Sequence, residues 1–427
     1  ECIELSKIVG KRVGEELGIP VFLYEKSAQK SDRVKLPIIR KGEYEGLAEK
    51  LKDENWKPDY GPSKFNASAG ATVMGMRDFL IAYNINLNTK DQRLATDIAF
   101  ELRESGRSKR IPNPNSPNLL DGEIVRNKDG SPVKVPGMFK EVKGVGWYIE
   151  TFKRAQISIN FNNYKNSTIH DVFDAACKLA DERGIRVTGS ELVGLIPLDA
   201  IIMAGKYYLQ KQGRTIGVPE SDIIESAVQS LGLNDVTPFV PKEKIIEFAM
   251  GEKSGNLMSL SVDGFTNELS SNSPAPGGGS VAALAGSLGA ALSSMVAALT
   301  HEKKGFESQK TEMDMIGHDA QAIKDRLSFL VDEDTHAFNK VMAANRLLAS
   351  NDEEKTMKAD AVLKANQYAI DIPFEVATLC YSIIELADVL VSKGNPNSVS
   401  DAGVAAEVAL AGVRGAAMNV LINLPSV

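Results

Sequence analysis

The acidic run Asp332-Glu333-Asp334 lies within residues 308–347, a stretch of helical periodicity. Seven, four and three residues before Asp334 stand Leu327, Leu330 and Val331. Three, four and seven residues after it stand Ala337, Phe338 and Val341. All six are apolar, so the spacing puts Asp334 on the packing face of its helix. A carboxylate there costs free energy unless it is paired or used. Desolvation raises its pKa toward the range useful for acid–base work. Two readings stay open: a proton-transfer group, or a buried aspartate capping a neighbouring helix. Asp332 neighbours Ser328, Thr335, His336 and Asn339 and is expected to face water.

Two loops could hold a ligand. Ser273-Pro274-Ala275-Pro276-Gly277-Gly278-Gly279-Ser280 precedes an uncharged helix, Val281 to Thr300. Bare glycine backbone at a helix N-terminus is a plausible anion cradle, and equally a Gly-Pro linker ahead of a core helix. Lys303 and Lys304 could hold an anionic tail, or merely complement that helix's C-terminal dipole. Gly61-Pro62-Ser63-Lys64-Phe65-Asn66-Ala67-Ser68-Ala69-Gly70 offers hydroxyls, an amide and a lysine. It suits either a folded loop around a flat polar ligand or an ordinary connection. The histidines, His170, His301, His318 and His336, show no metal-ligand spacing and no pairing with a nucleophile.

The 427 residues imply two or three domains. A net charge of −7 with no basic stripe argues against nucleic acid. Cys2, Cys177 and Cys380 are far apart, which argues against disulfides or a thiolate metal site and suits a reducing cytosol. Val281–Thr300 is long enough to cross a bilayer, but its Ala, Gly and Ser favour close helix packing over lipid.

A helix over 1–17 and a strand over 21–25 come first. That strand reads as an unpaired edge left from a unit whose front is missing. Residues 78–250 then follow the order β-α-β-β-α-β: strands at 79–87, 139–149, 156–161 and 186–192, with helices at 90–105 and 168–183. Two further helices cover 197–210 and 221–231. The Pro-, Asn- and Gly-rich segment 107–138 is a long loop, a lid or a surface insertion. Residues 251–256 read as a linker. Beyond 257 only helices are expected, at 257–270, 279–300, 308–347, 353–392 and 399–424. Pro373 should interrupt the fourth, and Ser398 should cap the fifth. The expected fold class is α+β, a ferredoxin-like βαββαβ subdomain with the remnant of a preceding one, followed by an all-α domain. The domains are 1–77, 78–250 and 257–427.

Several stretches together resemble the formiminotransferase-cyclodeaminase family: Gly61-Pro62-Ser63, Gly70-Ala71-Thr72-Val73, Phe79 to Leu87, Gly144-Val145-Gly146-Trp147-Tyr148, Gly189 to Leu198, Ala275 to Ala282, and Asn419 to Leu424. The resemblance implies two reactions. A glutamate formimidoyltransferase part moves the formimino group from N-formimino-L-glutamate to tetrahydrofolate. A helical cyclodeaminase part closes 5-formiminotetrahydrofolate to 5,10-methenyltetrahydrofolate and expels ammonia. It implies folate binding by Gly61–Gly70 in the first part and by Pro276, Gly277, Gly278, Gly279 and Ser280 in the second, with Asp334 as the cyclodeaminase acid. It further implies a cytoplasmic homo-oligomer of histidine degradation. It implies polyglutamylated folate as co-substrate, with no metal, nucleic acid or membrane. The family's transferase histidine precedes residue 1 and matches none of the four histidines here. The chain therefore reads as N-terminally truncated and its first activity as incomplete. The alternatives are a methenyltetrahydrofolate cyclohydrolase, or a helical domain that serves as an assembly scaffold.

Overall fold

The computed structural model describes residues 1–116, 118–251 and 257–426. Apart from Gly251, the expected linker lies outside the described residues. Contacts divide the chain into two units, Glu1–Leu80 and Ile81–Val427.

In the first unit, helix α1 (Cys2–Leu17) ends at Gly18, whose φ of 64° is the left-handed conformation that closes helices. Strand β1 (Val21–Leu23) is fully buried and pairs in parallel with β2 (Thr72–Met74), Val21 opposite Thr72. The expected unpaired edge is thus corrected: a strand from later in the same unit satisfies it. Beneath it, buried Arg33 donates from Nη2 to Asp59 Oδ1 at 3.0 Å. The other Asp59 oxygen accepts the Leu23 N–H at 2.8 Å, which ties the strand to the ion pair.

The second unit begins with a four-stranded antiparallel sheet of β3 (Ile81–Leu87), β4 (Val142–Ile149), β5 (Arg154–Phe161) and β6 (Val187–Val193). Helix α2 (Gln92–Leu102) joins β3 to β4, and α3 (Ile169–Asp181) joins β5 to β6. The spatial order β6-β3-β5-β4 is the ferredoxin-like arrangement. Alternation sends Ile81, Tyr83, Ile85 and Leu87 of β3, with Ile157 and Ile159 of β5, into the core against α2 and α3. On the opposite face Asn84, Asn86 and Gln156 are polar yet buried. There Gln156 Nε2 donates to Asn86 Oδ1 at 2.6 Å, and Asn86 Nδ2 to Asp235 at 2.9 Å.

Segment 107–138 is an arm built on two short ladders, Arg107–Ser108 with Lys134–Val135 and Arg110–Ile111 with Glu123–Ile124. Arg107 anchors its base, donating to Asp97 at 2.7 Å and Glu101 at 2.9 Å. Helices α4 (Leu198–Lys211) and α5 (Glu220–Leu231) complete this half.

The helical half comprises α6 (Val262–Leu269), α7 (Gly278–Glu302), α8 (Lys310–Asn345), α9 (Asp352–Lys393) and α10 (Val399–Asn423). Helix α7 packs against α8, α9 and α10. Its small residues permit this closeness: a methyl on Gly286 would overlap Cys380 Sγ on α9 and Leu327 on α8. By length and composition α7 and the segment Pro396–Asn423 could each cross a membrane, but 56% of the apolar window of α7 is buried in the bundle. The expected cap at Ser398 is not made. Instead Asn395 accepts the Asn397 N–H at 3.0 Å in the preceding turn.

The connector after α4 docks on this bundle. Asp314 Oδ1 on α8 accepts from Thr215 Oγ1 at 2.6 Å and from the Ile216 N–H at 2.8 Å. Ser294 Oγ on α7 donates to Gly217 O at 3.0 Å. Gly217 lies so close to Gly317 that neither has room for a large side chain.

Pro373 does not interrupt α9, which runs unbroken through it. Proline lacks the N–H that would reach the carbonyl four residues back, at Ala369. Asn423 of α10 fills the gap, donating from Nδ2 to Ala369 O at 2.9 Å. Replacing Asn423 by Ala should therefore cost about 1 kcal/mol. In a Pro373→Ala background, where the backbone N–H returns, the same change should cost markedly less. Urea denaturation of the four proteins in a double-mutant cycle measures the difference.

Candidate functional site

The first turn of α7, the C-terminal third of α8, and facing positions on α9 and α10 enclose a cavity of about 320 Å³. Gly277, Gly278 and Gly279 form one wall, Asp334 and Phe338 of α8 another, and Asn419 and Asn423 of α10 a third. Asp334 is the one ionisable residue among those lining it.

Helical periodicity places Asp334 as expected between buried Leu330, Val331 and Ala337, and the residue itself is half-buried. Ser280 Oγ donates to Asp334 Oδ2 at 3.2 Å, and the Ser280 backbone N–H also bonds to this carboxylate. Asp334 therefore caps α7 while it faces the cavity, so both readings of this aspartate describe one arrangement. Burial raises its pKa above the ordinary carboxylate value, and the Ser280 hydroxyl and N–H pull it back only in part. Its flanking acids are engaged elsewhere. Glu333 accepts from Tyr368 Oη. Asp332 does not face water as expected: it is half-buried and accepts the Leu257 N–H at 2.6 Å, fixing the start of the helical half.

The glycine triplet works differently from an anion cradle. The charge received by this helix terminus belongs to the protein itself, on Asp334. A methyl on Gly279 would overlap that carboxylate, so the third glycine is required by close approach. A methyl on Gly278 would meet only Asn419 Nδ2, at 3.7 Å, and Gly277 is similarly open. These two leave room beside the acid. Pro276, after a cis Ala275–Pro276 bond, is buried and does not line the cavity. Nor does Ser280, which is fully buried and whose single hydroxyl proton is shared between Asp334 and Val331 O, the latter at 2.8 Å. Of these two residues, expected as folate contacts, Pro276 shapes the turn and Ser280 orients Asp334. Lys303 and Lys304 follow the far end of this 25-residue helix, roughly 36 Å from the cavity at 1.5 Å per residue. Lys303 Nζ bonds to Asn395 there.

In the first unit, Gly61, Pro62, Ser63 and Lys64 are exposed, as are Ala67, Ser68 and Ala69, while Phe65 and Asn66 are half-buried and Gly70 is buried. The loop is folded on itself. Asn66 Oδ1 accepts the N–H groups of Ser68 at 3.1 Å and Ala69 at 3.0 Å, and Tyr44 Oη donates to Ala67 O at 2.6 Å. Phe65 packs on Tyr44 at 5.3 Å between ring centroids. Of the histidines, His170 stacks on Tyr207 at 4.3 Å and is buried, as is His301; neither lines the cavity. The motif reading missed Asn419 and Asn423 as site residues, although both lie within one of its signature stretches. Their spacing of four on one helix was the available signal.

Comparison with known proteins follows the same division. The model of the formiminotransferase domain's N-terminal subdomain matches residues 1–77, that of the formiminotransferase domain residues 82–251, and that of formiminotransferase-cyclodeaminase residues 261–427. The chain is 40% identical over 427 residues to formimidoyltransferase-cyclodeaminase of Mus musculus, covering 99% of this chain and 74% of that protein. It is 40% identical over 432 residues to the protein of that name from Dictyostelium discoideum, with the same coverage. Over 162 residues it is 38% identical to methenyltetrahydrofolate cyclohydrolase of Methylorubrum extorquens, covering 38% of this chain and 78% of that one.

Ser280→Ala removes a donor to Asp334 and should raise the carboxyl pKa further. A ¹³C NMR titration of aspartate-labelled protein reads the shift directly. No change, or a downward move, would show that the serine does not govern this acid.

Proposed function

This chain belongs to the formiminotransferase-cyclodeaminase family, and we propose that it is a two-step folate enzyme of histidine degradation. The first step transfers the formimino group of N-formimino-L-glutamate to tetrahydrofolate. The second closes 5-formiminotetrahydrofolate to 5,10-methenyltetrahydrofolate and releases ammonia. The observation that carries the second step is the cavity whose one ionisable lining group is Asp334. Folate is a co-substrate, and neither step calls on a metal. The Gly61–Gly70 loop is the proposed folate contact of the transferase half. None of the four histidines is assigned to that first step.

In the second step N10 of the folate attacks the formimino carbon. Asp334, ionised at the start, takes the N10 proton and returns it to the departing nitrogen. Burial suits it to this task, because a carboxyl with a raised pKa holds a proton long enough to deliver it. Gly277 and Gly278 let the flat ring system approach the acid without a side chain between them. Hydrolysis of the methenyl ring is the second reading, supported by the cyclohydrolase relative. It would use the same acid, and parallel assays of ammonia release and ring hydrolysis separate the two. We further propose a cytoplasmic homo-oligomer. The three thiols are unpaired, and Met418 and Ile422 stand 68% and 75% exposed on α10, apolar area that a second copy would cover.

Asp334→Asn should lower ammonia release at least about 10²-fold, the usual scale of acid–base catalysis. Near-normal release would reject the assignment. Stability should respond in the opposite sense. A carboxyl whose folded-state pKa is raised contributes stability that is complete in acid and lost as the pH climbs through that raised value. The asparagine cannot ionise, so the variant should melt no lower than the parent at pH 8 and should gain on it as the pH rises. The gain is confined to the range between the ordinary carboxylate pKa and the raised one, so thermal melts from pH 3 to 8 record it.

A further inference from the structure

Two carboxamides on α10 line the cavity with the acid, and a hydrogen bond holds each in place. Asn419 donates from Nδ2 to Gly415 O of its own helix at 2.9 Å. Asn423 donates from Nδ2 to Ala369 O at 2.9 Å, the carbonyl left open by Pro373. Both side chains line the cavity, and among the described residues neither Oδ1 accepts a hydrogen bond. One N–H of each NH₂ is tied back to a helix carbonyl, which holds the carboxamide in place and leaves its oxygen open to a ligand. With Asn366 of α9 also in the lining, the cavity combines three neutral carboxamides and one acid, with no lysine or arginine. Such a lining is made for a group rich in N–H donors, or for a delocalised cation.

We infer that Asn419 and Asn423 are specificity-determining residues that accept hydrogen bonds from the amidine nitrogen of the formimino group, so that the site selects an imino-bearing folate over its formyl counterpart. This rests on the cyclodeaminase reading and deepens it. The two candidate ligands have the same skeleton and differ in one terminal group. In the formimino compound the terminal NH₂ of the protonated amidine donates two hydrogen bonds. In the formyl compound an oxygen takes that place and only accepts. Facing two carbonyl oxygens, the first gains two bonds that the second cannot form. A site built to bond a donor rejects an analogue lacking it far more strongly than a merely apolar pocket can.

The arrangement also suits the chemistry. The N10 lone pair forms the new bond to the formimino carbon while the C=N π electrons move onto the terminal nitrogen. Asp334 carries the N10 proton to that nitrogen. The old C–N bond then breaks with its electron pair on ammonia, leaving the N5–C–N10 cation. Throughout, the terminal nitrogen keeps N–H bonds directed at Asn419 and Asn423, which hold it in position to receive the proton.

The test uses the whole chain, with 5-formiminotetrahydrofolate as substrate and 5-formyltetrahydrofolate as competitive inhibitor. For Asn419→Leu, and separately for Asn423→Leu, KM for the formimino compound should rise about tenfold or more, on the scale of one lost hydrogen bond to a charged group. The inhibition constant of the formyl compound should stay level or fall. An unchanged formyl constant also shows that the cavity is still folded, which matters most for Asn423. If both constants rise together, the amides hold the ring system and not the amidine, and the inference is overturned. If neither moves, they make no contact with this end of the ligand, and it is overturned again. A parent protein that releases no ammonia would instead defeat the cyclodeaminase reading itself.

Discussion

The helical half turns on one contact, the Asp334 carboxylate received by the first turn of α7 through Ser280. Three opposing effects meet there. Burial among Leu330, Val331 and Ala337 disfavours the charge. The Ser280 hydroxyl and N–H favour it, as does the positive end of the helix dipole, each worth on the order of 1 kcal/mol. The raised pKa shows that burial prevails. The acid is therefore neither a plain cap, which would hold its proton weakly, nor an isolated buried carboxyl, which would not readily release it. The lack of a side chain at Gly279 is the geometric condition for this balance, since any Cβ would drive the carboxylate away.

A second constraint links helix continuity to the site. Pro373 removes one backbone donor from α9, and the price falls on the Ala369 carbonyl. Satisfying that carbonyl from α10 spares α9 a break and at the same time locks the rotamer of Asn423. Pro373, which reads as a helix breaker, and Asn423 are thus one device. Its orientation toward the cavity comes from the same bond that repairs the helix.

Much of this was readable in advance. Period-2 patterns in residues 81–87 and 154–161 and period-3.6 patterns in the helices gave the βαββαβ order, because each pattern reports which face is buried. The stripe around Asp334 likewise fixed its side of α8. What escaped the reading depended on partners distant in sequence. The pairing of β1 with β2 joins residues some fifty positions apart. The acceptor role of Asp332 depends on a chain that returns from Leu257. Pro373 looked like a break because its compensating donor, Asn423, is fifty residues away. Periodicity is silent on such closures. The burial of Ser280 was hidden for a related reason: a polar residue after three glycines reads as ligand-facing until the neighbouring helix is in place.

The joint at Gly217 bears on how such a chain is taken apart in the laboratory. A fragment beginning at residue 257 would lose the Thr215 and Ile216 donors to Asp314 and strip the cover from Gly317 and Ser294. It would start life with a wet notch on the two helices that build the cavity. Kinetics from that fragment would report the surgery together with the enzyme. Grafting two polar side chains over the wound is the fairer dissection.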